Sequence, residues 1–139
     1  MDELQAILAD HRPKTRPAAN LTPEIAANAT TSLIPDIFFD EILKEFKLNR
    51  IEIMALMHIY RQIWCRTNIY QVYGISPLMS HTEMAKTLGV ALEEIYPALR
   101  KLEDVGLLET IRSGQYFMRK YFTAHFDELF GQNYDDFGP

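Results

Sequence analysis

Between residues 80 and 104, apolar positions recur at helical spacing in two separate stretches. Ser80 precedes the first stretch and Glu83 follows three residues later, which is the sequence pattern of a capping box. The stretch ends at Gly89, because glycine adopts the left-handed conformation common at helix C-termini without steric cost. The pattern therefore predicts a short helix whose apolar stripe consists of Met84, Ala85 and Leu88.

A longer helix is predicted from Leu92 to a stop signal at Gly106. Its apolar residues share one face, as expected for a helix packed on a core, and they are Leu92, Ile95, Ala98, Leu99 and Leu102. The outward face then consists of Glu93, Tyr96, Pro97, Arg100, Lys101 and Asp104.

Two strand-like segments, residues 107–112 and 115–122, flank Ser113 and Gly114 after this helix. Such a pair suits a two-residue turn, so the pattern predicts an antiparallel hairpin. Residues 75–79 are able to add a short third strand. The basic residues of the predicted hairpin are Arg112, Arg119 and Lys120.

Two more helices are predicted upstream. The second starts after Asn49, which forms another capping-box pattern with Glu52, and its apolar residues cover most of its circumference. We expect this helix to be central and packed on more than one side. The first begins near Pro35, and its apolar residues are Ile34, Ile37, Phe38, Ile42, Leu43 and Phe46.

The sequence divides into three parts. Residues 1–31 hold two short helix patterns and a proline-containing linker, so we expect a flexible segment whose basic residues are Arg12, Lys14 and Arg16. Residues 32–130 form the predicted domain, in which a last short helix follows Thr123. Residues 131–139 are an acidic tail that we expect to be disordered or to dock on a protein partner.

Composition fits one domain with tails, because 47% of the 139 residues are hydrophobic. No apolar run approaches the roughly 20 residues that cross a bilayer, so no membrane segment is expected. The chain has 1 cysteine, which excludes an internal disulfide and fits a reducing compartment. Its first residues lack the form of a signal peptide, so we expect a cytoplasmic location.

The net charge of −5 argues against general nucleic-acid binding, but the charge is unevenly distributed. Residues 44–122 have a net charge of +3, whereas residues 1–43 and residues 123–139 each have a net charge of −4. The predicted domain is therefore mildly basic between acidic ends.

No group of residues indicates catalysis. The 4 histidines are scattered, and no cluster has the spacing of metal ligands. Cys65 stands beside Trp64 and is expected to be a buried thiol. The chain also lacks a glycine-rich phosphate-binding loop. We therefore expect neither enzyme activity nor a cofactor or metal.

The order helix, turn, helix and hairpin in residues 80–122 is the outline of a winged helix-turn-helix. The predicted fold is α+β, mostly α, with additional N-terminal helices and a two- to three-stranded wing. Residues 32–110 also resemble the N-terminal winged-helix domain of phage and plasmid replication proteins of the replication protein O type. The resemblance lies in Ile34-Pro35, in residues 59–64 and in residues 103–108.

The resemblance implies a protein that binds double-stranded DNA in replication initiation or transcription regulation. The second helix would enter the major groove, and the wing would lie on the adjacent backbone. By position, Tyr96, Arg100 and Lys101 would face the DNA, and Arg112, Arg119 and Lys120 would contact phosphates. A homodimer is a further expectation, since many such domains read two half-sites.

The front of the predicted recognition helix supports a second hypothesis. Glu93 and Glu94 stand where recognition helices usually present small polar or basic side chains. Both suit the positive end of the helix dipole, but they would repel phosphates. Pro97 removes one helical hydrogen bond. The alternative function is a protein-interaction adaptor, a winged helix without a DNA-binding face, that acts through Tyr96, Tyr116 or the acidic tail.

Overall fold

A computed structural model of the chain describes residues 30–137. The prediction of a mixed α+β fold is confirmed, because about half of these residues are helical and two strands form an antiparallel sheet. The predictions for residues 1–29, including their short helices and basic linker, lie outside the described residues.

Five helices, one 3₁₀ turn and one hairpin make up the described part. None of these helices has the length and apolar character needed to cross a membrane. In chain order the elements are α1, a π-helical turn Phe38–Ile42 continued by Leu43–Glu45; α2, Arg50–Tyr60 continued by the π-helical turn Arg61–Cys65; a 3₁₀ turn Gln71–Tyr73; α3, His81–Leu88; α4, Leu92–Asp104; β1, Glu109–Arg112; β2, Gln115–Phe117; and α5, Ala124–Leu129.

Three of the five helices, α2, α3 and α5, begin after the predicted capping residues. At α2 the capping box is complete, because Asn49 Oδ1 accepts from the N–H of Glu52 at 2.8 Å and Glu52 Oε1 accepts from the N–H of Asn49 at 2.9 Å. At α3 only half of the predicted capping box is formed, because Ser80 Oγ accepts from the N–H of Glu83 at 3.2 Å but the Glu83 side chain does not accept from the N–H of Ser80. Thr123 caps α5 in the same way. Each such cap stabilises its helix by about 1 kcal/mol.

The core forms where α2 packs against α3 and α4. The predicted apolar face of α4 is confirmed, since four of its five residues are buried and Leu92 packs against them. Each fully buried aliphatic side chain contributes roughly 1.5–3 kcal/mol relative to an exposed one. The buried side chains of the central helix are Ala55, Leu56, Ile59, Tyr60 and Ile63.

The hairpin pairs β1 with β2 and carries a bulge. Thr110 lies opposite Tyr116, but the register shifts before Arg112 pairs with Gln115. Segment 74–79 runs along the other edge of β2, where Ile75 forms an isolated antiparallel bridge with Phe117. The predicted third strand is thus reduced to one bridge beside a two-stranded sheet.

The second strand is shorter than predicted, because β2 ends at Phe117 and does not continue to Phe122. The N–H of Met118 donates to the carbonyl of Gly74 at 2.9 Å, and the chain then turns. Phe122 has a positive φ of 74°, which is unfavourable for a non-glycine residue. Its buried ring stacks on Tyr60 with a centroid distance of 4.9 Å, and this packing offsets the backbone strain.

Residues 131–137 pack against the domain, in contrast to the predicted disordered or partner-docking tail. The ring of Tyr134 lies 6.1 Å from that of Trp64, and Phe137 contacts the rings of Tyr70 and Tyr73 at 5.9 Å and 5.3 Å. The aromatic residues that gave the tail the character of a docking peptide are therefore engaged within the chain.

Candidate nucleic-acid interface

The exposed face of α4 is the surface on which the predicted DNA contacts depend. A helix advances about 100° per residue, so its exposed residues fall into three rows. The central row is Glu93, Pro97, Arg100 and Asp104; one flank holds Tyr96 and Glu103; the other holds Glu94 and Lys101.

The flank with Tyr96 and Glu103 faces the hairpin and α3. Glu103 Oε1 accepts a hydrogen bond from the hydroxyl of Thr110 on β1. The ring of Tyr96 packs edge-on against His81 of α3, with 5.3 Å between centroids. The Nε2 atom of His81 shares a hydrogen bond of 2.5 Å with the hydroxyl of Tyr116 on β2. These contacts fix the orientation of α4 relative to α3 and the sheet.

Tyr116 is buried under this flank, with 3% of its surface exposed. Burial raises the pKa of Tyr116 to about 12, and the negative charge of Glu103 adds to the effect. The hydroxyl therefore stays protonated at neutral pH and acts as an internal hydrogen-bonding group. Its burial also removes Tyr116 from the surface on which the adaptor hypothesis placed it.

Four of the six predicted DNA-contact residues are exposed on α4 and β1. Tyr96, Arg100 and Lys101 lie on α4, and Arg112 ends β1. The Nε of Arg112 donates to Gln115 Oε1 at 2.9 Å, and the buried Gln115 amide in turn donates to the carbonyl of residue 76 at 3.0 Å. The Nε atom of Arg112 is thus hydrogen-bonded to Gln115, a side chain that is itself fixed by a second hydrogen bond.

Acidic residues outnumber basic ones over α3, α4 and β1. A phosphate-binding surface needs an excess of cations, so this balance opposes the approach of a nucleic-acid backbone. The basic residues of these elements are Lys86, Arg100, Lys101 and Arg112, and the acidic residues are Glu83, Glu93, Glu94, Glu103, Asp104 and Glu109.

Arg119 was predicted to lie on the hairpin, and that placement is wrong because β2 ends before it. Its guanidinium forms an ion pair of 3.1 Å with Asp127, a residue of α5 that is 3% exposed. The guanidinium also lies 5.5 Å from the centre of the Phe117 ring and 6.0 Å from that of Tyr134. These contacts hold the charge of Arg119 against the body of the domain.

Lys120 also lies beyond β2. Its ammonium group is 5.9 Å from the ring centres of both Trp64 and Tyr121. Its backbone is fixed from two sides, since the N–H donates to Tyr134 Oη at 2.8 Å and the carbonyl accepts from Tyr60 Oη at 2.9 Å. Arg119 and Lys120 therefore lie outside the hairpin, on the segment that follows β2.

The hairpin turn is held closely against segment 74–79. The carbonyl of Gly114 accepts from the N–H of Met79 at 2.7 Å. Gly114 has φ +82°, and a Cβ atom built on it would collide with the Met79 carbonyl oxygen. The turn is therefore short and fixed, and it does not form a long arm that reaches a groove.

Sequence reasoning missed Asp127, the residue that holds Arg119 in place. No local pattern marks Asp127, because its partners come from residues 119, 121 and 134. Sequence reasoning also did not identify the role of His81, whose partners Tyr96 and Tyr116 lie on α4 and β2. Within residues 30–137, no group of three or more His, Cys, Asp or Glu side chains is arranged to hold a metal ion.

Comparison of the chain with protein-family models, with curated proteins and with solved structures found no match. The function must therefore be argued from the geometry and charges of the chain itself.

Proposed function

We propose that this chain is a winged-helix protein that binds double-stranded DNA in replication initiation or transcription regulation. In this proposal α3 and α4 form the helix-turn-helix, and the hairpin of β1 and β2 is the wing. α4 enters the major groove, and a homodimer reads two half-sites. The contact residues are Tyr96, Arg100, Lys101 and Arg112.

The observation that supports DNA binding is the position of the three exposed cations. Arg100 projects from the side of α4 opposite its buried face, Lys101 lies on the adjacent exposed flank, and Arg112 lies on the strand that follows α4. In a helix-turn-helix this outward face is the one that enters the groove. Arginine and lysine there suit both phosphate oxygens and the O6 and N7 acceptors of guanine.

Glu93 and Glu94 determine how such binding would differ from that of an ordinary basic surface. A carboxylate at the front of a recognition helix accepts a hydrogen bond from the amino group of cytosine. It also repels phosphates, which weakens binding to DNA of unrelated sequence. We therefore propose a non-specific affinity that is weaker than that of an ordinary basic surface but still measurable at low salt, combined with additional affinity from base contacts.

A second candidate function is the adaptor that binds a protein through the same scaffold. It is favoured by the excess of acidic residues over α3, α4 and β1 and by the internal ion pair of Arg119 with Asp127. In this case α4 would carry no DNA contact, and Arg100 and Lys101 would be ordinary surface residues.

Fluorescence anisotropy of the purified chain with a mixed pool of labelled duplexes distinguishes the two functions. Three phosphate contacts predict a slope of about −2.7 for log K against log salt, or roughly 40-fold weaker binding at about 200 mM than at about 50 mM salt. The variant Arg100→Ala/Lys101→Ala should lose most of this binding.

The matched control is Lys44→Ala/Lys47→Ala, which removes the same charge from exposed positions outside α4 and the hairpin. This control should bind DNA nearly as well as the unmodified chain. Absence of binding at low salt, or equal loss in both double variants, would reject the DNA interface and favour the adaptor.

A further inference from the structure

A groove lies between α2 and α3, and it shares no residue with α4 or the hairpin. We name it the methionine groove; its lining residues are Met54, Met57, His58, Arg61, Thr87 and Leu88. Met54 and Met57 are half-buried, so part of each thioether side chain faces the open groove. Methionine is unbranched and polarisable, and it adapts to the shape of an apolar partner.

Arg61 lines the groove, and Arg50 lies on the same face of α2, one turn before Met54. Arg50, Met54, Met57 and Arg61 are separated by four, three and four residues, which places them along one face of the helix. At 1.5 Å per residue, Arg50 and Arg61 are roughly 16 Å apart along the helix axis. The two methionines lie between them.

Both arginines are exposed, and neither forms an ion pair with another residue in the range 30–137. The two helices carry two carboxylates, of which Glu52 is engaged in the cap with Asn49 and Glu83 lies one turn before Thr87. The face of α2 that borders the groove and extends beyond it to Arg50 is therefore an apolar strip with a positive charge at each end.

We propose that the methionine groove binds an acidic amphipathic helix of a partner protein. A helix laid along α2 would insert apolar side chains at i, i+3 and i+4 against the methionines. Its carboxylates, about three turns apart, would pair with Arg50 and Arg61. Charge complementarity selects this partner, because a basic or purely apolar helix leaves both arginines unpaired at the contact.

The probe is a fluorescent synthetic helix with leucines on one face and glutamates about 11 residues apart, at the spacing set by the helical rise. A scrambled peptide of the same composition and a peptide with lysines in place of the glutamates are the matched controls. The intact chain should bind the first peptide only. The variant Arg50→Glu/Arg61→Glu should bind it at least tenfold more weakly and should bind the lysine peptide instead.

The methyl groups of the chain's 6 methionines give a second readout that needs no variant. On addition of the glutamate peptide, the ¹³C-methyl signals of Met54 and Met57 should shift, whereas those of the buried Met84 and Met118 should not. Equal binding of the scrambled peptide would overturn the proposal. So would unchanged Met54 and Met57 signals at about 1 mM peptide, a concentration that detects even weak complexes.

Discussion

The hydroxyl of Tyr134 donates a hydrogen bond of 2.6 Å to the carboxylate of Asp127, which connects the C-terminal segment to α5. The same carboxylate accepts from the guanidinium of Arg119 and from the N–H of Tyr121, each at 3.1 Å. One buried side chain thus joins the segment after β2, the helix α5 and residues 131–137. The buried carboxylate of Asp127 is tolerated because each of its three partners donates a hydrogen bond to it.

Replacing Asp127 by alanine should therefore destabilise the domain. The change leaves the N–H of Tyr121 and the hydroxyl of Tyr134 without an acceptor, and each unpaired buried donor costs about 1–3 kcal/mol. Urea unfolding followed by circular dichroism measures this loss. The control Asp136→Ala, at an exposed position, should stay within about 0.5 kcal/mol of the unmodified chain. Equal stability of the two variants would contradict the role given to Asp127.

The elements that could be predicted from the sequence are those set by neighbouring residues. Asn49, Ser80 and Thr123 cap helices because each side chain reaches an N–H three residues away. Ser113 and Gly114 form the hairpin turn for an equally local reason. The buried face of α4 follows from its period, so its outward residues were also predicted correctly.

The features that could not be predicted depend on residues far apart in the chain. β2 ends early because the chain turns after Met118 and packs the ring of Phe122 on Tyr60, more than 60 residues upstream. The side chain of Arg119 is held away from the hairpin by its ion pair with Asp127. Residues 131–137 pack on the domain because the rings of Tyr134 and Phe137 contact Trp64 of α2 and Tyr73 of the 3₁₀ turn. The sequence around Arg119 contains no pattern that indicates these distant partners.

Gly114→Ala should destabilise the chain more than Gly106→Ala. The two glycines have φ values of +82° and +83°, so both alanine variants incur about 1–2 kcal/mol for the left-handed conformation. Only at position 114 would the new Cβ also collide with the carbonyl of Met79, because nothing lies within 4 Å of a Cβ at position 106. The difference between the unfolding free energies of the two variants, measured in urea, gives the destabilisation caused by the collision with Met79. Equal losses would show that the turn moves freely away from Met79.

Stability should fall at alkaline pH. Burial is the main cause that raises the pKa values of Tyr60, Tyr116 and Tyr134 above the ordinary value of about 10. A raised pKa in the folded state means that the unfolded chain loses these protons first. The contribution to stability is complete below about pH 10 and decreases as the pH rises toward about 12.

This decrease is measured as the urea midpoint at a series of pH values between about 8 and about 12. The urea midpoint of Tyr116→Phe should decrease less than that of the unmodified chain, because this variant lacks one of the three tyrosine hydroxyls whose ionisation favours unfolding. A midpoint that stays constant above about pH 10 would contradict the burial of these hydroxyls.

Arg112 and Arg119 should respond differently to replacement by alanine. If Arg112 contacts a phosphate, Arg112→Ala lowers the magnitude of the salt slope of DNA binding by about 1. Arg119→Ala should leave the slope nearly unchanged and lower stability, since it leaves Asp127 without its ion pair. Anisotropy at several salt concentrations and urea unfolding of both variants test this difference. A larger change of the salt slope in Arg119→Ala than in Arg112→Ala would indicate that Arg119 contacts DNA.

Neutralising the glutamates at the start of α4 should have opposite effects on binding and stability. Glu93→Gln/Glu94→Gln removes two negative charges from the face proposed to enter the groove, so affinity for unrelated duplex DNA should increase. The same change removes favourable interactions with the helix dipole, each about 0.3–1 kcal/mol, so the free energy of unfolding should decrease. Anisotropy at about 0.1 M salt measures the affinity, and urea unfolding measures the stability.

The matched control is Glu41→Gln/Glu45→Gln, two exposed positions of α1. It changes the net charge by the same amount and should affect DNA affinity much less, because long-range charge effects are screened beyond about 10 Å at 0.1 M salt. An equal gain in both double variants would show that total charge controls binding. Unchanged affinity in Glu93→Gln/Glu94→Gln would mean that the front of α4 does not approach DNA, which is the geometry that the adaptor requires.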